Sequence, residues 1–352
     1  MSGSKGVIGL VGDIGGTNAR FALATLSVQG RPRLTAPRTL PCADYPGLVE
    51  AVRAYLDEIA APVPGQAAVA IAGPVPDDQG AGERVRLTNH AWSFSIAQTS
   101  RALGVEHFSV INDFTAVSLS LDYLPAAALT PIGPPAGGFS KARALGVLGP
   151  GTGLGVGGLL RAGACAVPLV SEGGHVSFAP SDALEVEIAR VLLARFGRLS
   201  NERLLSGPGL RHLYEALAVV RGQPAAVLSA ADITRHALAD SDALADSDAL
   251  ADSDALTDSD ALCREALERF CAILGSVAGD LALTLWAEAI FIAGGVVPRF
   301  TDFLAASRFR ARFEDKGRFA GHMRGVPSLV ITDANPGLLG AAVHLMRQSA
   351  CD

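Results

Sequence analysis

The sequence predicts an α/β fold of two lobes, and three observations carry that expectation. Short apolar runs end repeatedly at glycine-rich turns: Val7–Val11 before Gly12–Gly16, Ala144–Leu148 before Gly149–Gly155, and Ala289–Ala293 before Gly294-Gly295. Stretches with helical spacing lie between them. The chain has 352 residues, more than one hydrophobic core usually supports, so two domains are expected. Strands that run into glycine turns, with helices packed between, indicate an α/β architecture built twice.

Taken in order, residues 7–28 read as a β-hairpin: an apolar strand, the glycine turn, and a return strand over Arg20–Leu26. Leu48, Val49, Val52, Leu56 and Ile59 share one helical face. The unbroken apolar run Ala67–Ala72 is a buried strand, and Phe108–Asn112 is another that ends at Asn112-Asp113. Ala144–Leu148 leads into the second glycine turn. Beyond Asp182 helices dominate, over 183–196, 207–221, 263–286 and 301–313, and Ala289–Ala293 is the strand between the last two.

Residues 237–260 repeat the hexapeptide Ala-Leu-Ala-Asp-Ser-Asp four times, with Thr257 replacing an alanine in the last copy. Six residues advance an ideal helix by about 600°, so successive leucines are displaced by about 240° and no apolar stripe forms. The segment reads as an expanded, solvated surface loop, frayed or transiently helical. Its Asp-x-Asp pairs lack the turn glycine and closing glutamate of a calcium loop.

Composition excludes several classes of function. Hydrophobic residues make up 49% and charged residues 18%, which argues against global disorder. The net charge of −6 owes its sign to the eight aspartates of the repeat; the rest of the chain is close to neutral and offers no basic field for nucleic acid. Lys5, Lys141 and Lys316 are the only lysines, and none sits in a Walker A loop or a protein-kinase strand. Five cysteines without paired spacing fit free thiols in a reducing compartment. No long apolar window reads as a signal peptide or membrane span, so a cytoplasmic protein is expected.

The first turn, Gly12-Asp13-Ile14-Gly15-Gly16-Thr17-Asn18, carries the chemistry. A loop without Cβ bulk lets backbone N–H groups approach an anion, and a carboxylate beside such amides serves a cation, because alone it would repel phosphate. The turn therefore reads as a nucleotide phosphate held with Mg²⁺, with an ordinary hairpin turn as the plain alternative. Gly151-Thr152-Gly153 is a second phosphate-gripping turn, with Thr17 and Thr152 as hydroxyl donors, and Gly294-Gly295 is a third that a base or ribose can approach. Gly153-x-Gly155-x-x-Gly158 also matches a dinucleotide fingerprint, but that needs a helix at the glycines, and the following residues read as a strand.

Asp113 ends an apolar strand, at the edge where α/β folds bind ligands, and suits the proton acceptor that phosphoryl transfer to a hydroxyl requires. It suits a helix cap before Phe114 equally well. Glu172-Gly173-Gly174-His175 turns a carboxylate and an imidazole toward one small polar ligand, as vicinal sugar hydroxyls require; a histidine satisfied within a core is the alternative. Glu202 reads either as a ligand group or as a helix-end charge, and Asn89-His90 either as a ligand loop or as a turn. Serine-hydrolase and zinc signatures are missing.

The ordered set of segments resembles the bacterial glucokinases of the hexokinase superfamily. The matching stretches are GDIGGTNARFAL (12–23), LTNHAWSFS (87–95), INDFTAVSLS (111–120), GPGTGLGVG (149–157), EGGHVSFAP (172–180), ERLLSGPGL (202–210), FIAGGVVPRF (291–300), FEDKGRF (313–319) and NPGLLGAAVHL (335–345). The resemblance implies a two-lobed actin-like ATPase (ribonuclease H-like) fold with nucleotide and sugar in the interlobe cleft. It implies a small lobe over 1–122 plus 331–352 and a large lobe over 123–330, with the acidic repeat at about 237–260 inserted in the latter. It further implies Asp113 as general base on the 6-hydroxyl of glucose, with Asn112, Glu172, His175 and Glu202 on the remaining hydroxyls. Asp13 would serve Mg²⁺ through water. Gly12, Gly15, Gly16, Thr17, Asn18, Gly151, Thr152 and Gly153 would hold ATP phosphates, and Gly294 and Gly295 would lie near the adenosine. A homodimer is implied, with no nucleic acid or membrane partner. Gly73-Pro74 departs from the Cys-Pro common in relatives, and the cysteine-rich zinc motif of ROK-type sugar kinases is missing. A kinase of another hexose or with another phosphoryl donor, and a sugar-sensing regulator on the same fold, are the rival readings.

Overall fold

A computed structural model describes residues 7–73, 75, 84–87, 90–135, 139, 141–163, 165–239 and 253–348. The chain divides into two compact units. One comprises Met1–Ala128, Gly157–Val170 and Asp333–Asp352; the other comprises Leu129–Val156 and Ser171–Thr332.

In chain order the first segment contains β1 (Val7–Ile14), β2 (Asn18–Leu26), β3 (Pro32–Pro41), α1 (Leu48–Glu58), β4 (Gln66–Ile71), β5 (Arg84–Arg86), β6 (Ser93–Ser95), α2 (Ile96–Leu103), β7 (His107–Asn112) and α3 (Asp113–Ser120). Among the described residues one sheet has the order β3-β2-β1-β4-β7. The first two contacts are antiparallel, and β1, β4 and β7 run parallel. Successive side chains of a strand point to opposite faces. Leu10 and Ile14 of β1, with Ala67, Val69 and Ile71 of β4, therefore join the core formed with Leu48, Val52 and Tyr55 of α1. Val11 and Ala68 face the other way, onto Leu338, Ala341, Ala342 and Leu345 of the C-terminal helix, Pro336–Gln348. With both faces covered, the parallel strands read as unbroken apolar runs.

The chain continues through β8 (Leu129–Ile132), β9 (Ala144–Pro150), β10 (Leu154–Ala162), β11 (Cys165–Leu169), α4 (Ala183–Phe196), α5 (Gly207–Arg221), α6 (Ala230–Leu238), α7 (Ser253–Leu285), β12 (Ala289–Ile292), α8 (Thr301–Ala306), α9 (Phe309–Glu314), α10 (Ala320–Met323), β13 (Ser328–Ile331) and α11, the C-terminal helix. A second sheet has the order β11-β10-β9-β12-β13-β8, with β9, β12 and β13 parallel. Its first five strands repeat the order of the other sheet, hairpin strands first and parallel strands after, so the expected duplication is present. β10 follows the second glycine turn as a strand, which removes the dinucleotide alternative.

The helices over 183–196 and 207–221 fall where the sequence places them. Asp182 accepts the Glu185 N–H and Ser206 the Gly209 N–H as N-caps, and Gly222 ends α5 in the left-handed conformation at φ 66°. The expected helix over 301–313 is instead two, α8 and α9. Ser307 leaves the helical conformation, with ψ −177°, and its hydroxyl accepts the N–H of Phe309 to start the second. The helix expected over 263–286 begins earlier, at Ser253, so the end of the acidic repeat forms the first turns of α7. Residues 240–252 of the repeat lie outside the described residues.

A buried charge cluster ties α4 to α7 and α9. Glu185 is fully buried, accepts the Ser181 N–H, and is paired with Arg269 and Arg312, while Arg312 also donates to Ser276. Burial pushes the neighbouring Asp182 carboxyl up, but the Glu185 N–H together with Arg269 and Arg312 outweighs this and holds it below the usual range.

Candidate active site

The parallel strands of the first unit end in register: Ile14 pairs with Ile71, and Ile71 with Asn112. The glycine turn after Ile14 and the Asn112-Asp113 pair are thereby set at one sheet edge, the carboxyl ends of the strands, where α/β folds bind ligands. Asn112 Oδ1 accepts the N–H groups of Phe114 (2.9 Å) and Thr115 (3.1 Å), and its Nδ2 donates to Gly73 O (3.2 Å). Asn112 is thus the N-cap of α3. Asp113 is the first helical residue and its Oδ1 also accepts from Phe114 N (2.9 Å), a position where the helix dipole favours a carboxylate.

Asp13 faces Arg20 across the β1–β2 hairpin, with 3.8 Å from Oδ2 to the guanidinium. Burial pushes the Asp13 carboxyl above the usual carboxylate range, and Arg20 opposes the shift. The turn itself is closed by Gly15 N–H on Asn18 O (3.0 Å) and buttressed by Cys42 N–H on Thr17 O (2.8 Å). The sequence does not flag the neighbour that matters most here, Gly337 in the first turn of α11, where a Cβ would sit 2.8 Å from the Asp13 carboxylate.

In the second unit, Glu172, His175 and Glu202 come together. His175 Nε2 lies 3.9 Å from Glu172 Oε2, and its Nδ1 lies 3.9 Å from Glu202 Oε1. The imidazole is half exposed, which removes the core-histidine alternative. The two glycines between Glu172 and His175 have a steric cause. A Cβ on Gly174 would collide with the Leu154 carbonyl, and one on Gly173 would lie 2.9 Å from Val156 Cγ1, so only a bare backbone lets this turn press onto β10. Further anchoring comes from Gly173 N–H on Ser171 Oγ and from Arg198 on the His175 carbonyl.

The second and third glycine turns of this unit also share a sheet edge. Leu148 pairs with Ile292, and Val296 N–H donates to Pro150 O (3.2 Å). They open onto a cavity of about 610 Å³, lined by Gly151, Thr152, Gly207, Pro208, Arg211, Ser229, Thr234, Gly295 and Arg299 among others. Glycine-rich walls, helix N-termini and two arginines are suited to an anionic ligand of nucleotide size. The contribution of α5 and α6 was not read from the sequence, although Ser206-Gly-Pro-Gly and the capping box Ser229–Asp232 mark both helix starts. Gly294, the partner of Gly295 in the third turn, has φ 83°. His90 Nδ1 accepts the Trp92 N–H, which is turn chemistry, and Asn89 lies outside the described residues.

The family model described as Glucokinase matches residues 10–251 and 246–348. The glucokinase of Aromatoleum aromaticum is 47% identical over 338 residues, covering 96% of this chain and 94% of the relative. That of Chromobacterium violaceum is 44% identical over 338 residues, covering 96% and 88%. The crystal structure of a glucokinase from an Antarctic psychrotroph superimposes with a TM-score of 0.80 at 36% identity, covering 96% of this chain and 98% of that one. A ROK family glucokinase from Streptomyces griseus, in complex with glucose and AMPPNP, shares the fold at a TM-score of 0.60 and 18% identity. The expected actin-like ATPase fold is therefore the fold observed, and with a family model spanning nearly the whole chain, the protein belongs to the glucokinase family.

Proposed function

We propose that the protein transfers the γ-phosphoryl group of ATP to the 6-hydroxyl of D-glucose, giving glucose 6-phosphate and ADP as the first step of glycolysis. The observation that carries this reading is the gathering of Glu172, His175 and Glu202 in the unit whose glycine turns line the 610 Å³ cavity. Hydroxyl-binding groups and phosphate-binding turns serve the two substrates of one reaction.

In this reading the 6-oxygen attacks the γ-phosphorus, the bond to the bridging oxygen of ADP breaks, and the hydroxyl proton passes to the Asp113 carboxylate. Asn112 fixes the start of α3 and has one amide hydrogen left for a sugar oxygen, since its other polar capacity is used. Glu172, His175 and Glu202 take further hydroxyls. Gly12, Gly15, Gly16, Thr17 and Asn18 hold phosphate in one unit, and Gly151, Thr152 and Gly153 do so in the other, with Gly294 and Gly295 beside the adenosine.

Mg²⁺ fits the residues present. Asp13 is a largely buried carboxylate that faces a single cation among the described residues, Arg20 at 3.8 Å, and keeps part of its surface open to a further positive partner. Among the described residues no group of three or more His, Cys, Asp or Glu gathers to cage an ion. Mg²⁺ does not need one, because it is commonly bound through one or two carboxylates plus water and substrate phosphates. Asp13 would hold it through water, and the ion would neutralise charge on the transferring phosphoryl group.

The reading extends to a cytoplasmic homodimer. Among the described residues Cys42, Cys165, Cys263 and Cys271 form no disulfide, and no helix is long and apolar enough to cross a membrane.

The test is ADP release from ATP and Mg²⁺ by the purified protein, with and without glucose, alongside Asp113→Asn. Glucose-dependent release that falls about 10²–10⁴-fold in the variant, with glucose affinity retained, is the expected result. Release independent of glucose, or near-normal turnover by the variant, overturns the reading.

A further inference from the structure

We infer that Glu202 couples the two substrates: one carboxylate oxygen faces the sugar cluster while the other sets the turn that receives nucleotide phosphate. The inference rests on the function proposed above and assigns Glu202 a second, positioning role. Oε1 lies 3.9 Å from His175 Nδ1. Oε2 accepts the N–H of Leu154 at 3.0 Å, directly after the Gly151-Thr152-Gly153 turn. The approach is so close that a Cβ on Gly153 would collide with Oε2. The backbone of Glu202 makes a second connection. Its carbonyl accepts the Ser206 hydroxyl at 2.8 Å, Ser206 Oγ accepts the Gly209 N–H at 3.0 Å as N-cap of α5, and Gly207 N–H donates to Gly151 O at 2.8 Å. Gly151, Thr152, Gly207 and Pro208 are all walls of the cavity. A closed circuit thus runs from the sugar-side carboxylate through both the turn and the helix start that bound the nucleotide side.

A carboxylate that only fastened β10 would need one oxygen and would be buried. Glu202 instead leaves about a third of its side chain exposed (32%), with its second oxygen toward the half-exposed imidazole. A sugar hydroxyl that bonds Oε1 fixes the whole carboxylate, because the two oxygens form one rigid plane. Fixing Oε2 in turn fixes the Leu154 amide and the turn before it. Ordering the turn once, for the first substrate, lowers the cost of binding the second. By linkage the effect is reciprocal.

The experiment measures glucose affinity without nucleotide, affinity for the ATP analogue AMPPNP with Mg²⁺ without sugar, and each with the other present. In the unaltered protein each ligand is expected to tighten the other by about fivefold or more. Gly153→Ala places its Cβ against Glu202 and is expected to weaken glucose binding about tenfold even with no nucleotide present, one order of magnitude within the usual coupling range. Gly151→Ala alters the same turn, but its Cβ meets nothing within 4 Å, so glucose binding without nucleotide stays unchanged. Ser206→Ala removes the second connection and leaves the carboxylate and its bond to Leu154 intact, so it keeps glucose affinity and lowers the coupling factor without abolishing it. Thermal melting checks that each variant is folded, and should Gly153→Ala not fold, Ser206→Ala decides. Normal glucose binding by folded Gly153→Ala, full coupling in Ser206→Ala, or no coupling in the unaltered protein overturns the inference. No glucose binding by the unaltered protein overturns the proposed function instead.

Discussion

Gly337 packs directly on Asp13: the first turn of the last helix comes so near that a Cβ there would lie 2.8 Å from the carboxylate. The N-terminus of α11 therefore faces a largely buried acid more than 300 residues earlier in the chain, where its dipole favours negative charge. Gly337→Ala is expected to displace Asp13. The cost is about 1–3 kcal/mol of stability, typical of overpacking, with a rise in the Mg²⁺ concentration needed for half-maximal turnover. Mg²⁺ titrations of turnover and urea unfolding check both. An unchanged Mg²⁺ requirement in a destabilised variant separates Asp13 from the metal.

Asn112 is expected to act on Asp113 through the helix start. Asn112→Ala removes the N-cap and should cost about 1 kcal/mol. Turnover should fall further than that stability loss explains, because Asp113 loses the fixed helix start that positions it. Asn112→Asp keeps an acceptor for the Phe114 and Thr115 amides and loses only the bond to Gly73 O, so its stability should recover toward the parent in melting curves.

Gly174→Ala is expected to be among the most damaging single methyl additions. Its Cβ collides with the Leu154 carbonyl, so the turn carrying Glu172 and His175 must lift off β10. Glucose affinity by calorimetry should fall by an order of magnitude or more, equivalent to about 1.4 kcal/mol. Retained affinity removes the Glu172–His175 turn from the sugar site.

Removing Glu185 takes away the fully buried partner of Arg269 and Arg312 and leaves them only the part-exposed Asp182. Glu185→Ala should cost about 3–5 kcal/mol in urea unfolding. A loss below about 1 kcal/mol would place the pair in the weak class typical of surface ion pairs.

Stability should fall as the medium becomes mildly acidic. Burial, with the charge of Arg347, pushes His344 below the usual imidazole value, and burial likewise lowers His212. His344 Nε2 is a buried atom with no hydrogen-bond partner, so the folded state favours the neutral ring. A lowered folded pKa means that the unfolded chain binds more protons, so this contribution is complete above the unfolded value near 6.5 and is lost as pH falls below it. Melting temperatures from pH 7.5 to 5 should decline less steeply in His344→Leu, a comparison read at about these bounds of the imidazole range. Parallel slopes would clear His344 of the effect.

Much of the fold was legible because its signals are local. Apolar runs of strand length broke at glycine turns, and α4 and α5 carried a cap residue at the start and a glycine at the end. The split between α8 and α9 was not legible, because it depends on Ser307 choosing an extended backbone and capping Phe309. β3 was missed because it is an edge strand of mixed polarity, and α2, although it carries a Ser95 cap and Gly104 at its end, is only 8 residues long and gives a short periodic signal. The acidic repeat gave no apolar stripe, yet its end from Ser253 is helical, continuous with the strongly apolar part of α7.

The sequence by itself determined the two-fold α/β plan, the glycine turns and the polar residues of the site, because backbone freedom, hydrophobic period and residue chemistry are properties of short segments. Tertiary structure alone decided which of those residues act together. Strand register brought Asn112 level with Ile14. Chain folding set Glu202 against the turn before Leu154, and α11 placed Gly337 on Asp13. Such contacts join residues tens to hundreds of positions apart, and they exist only once burying the cores has offset the entropy of closing the chain between them.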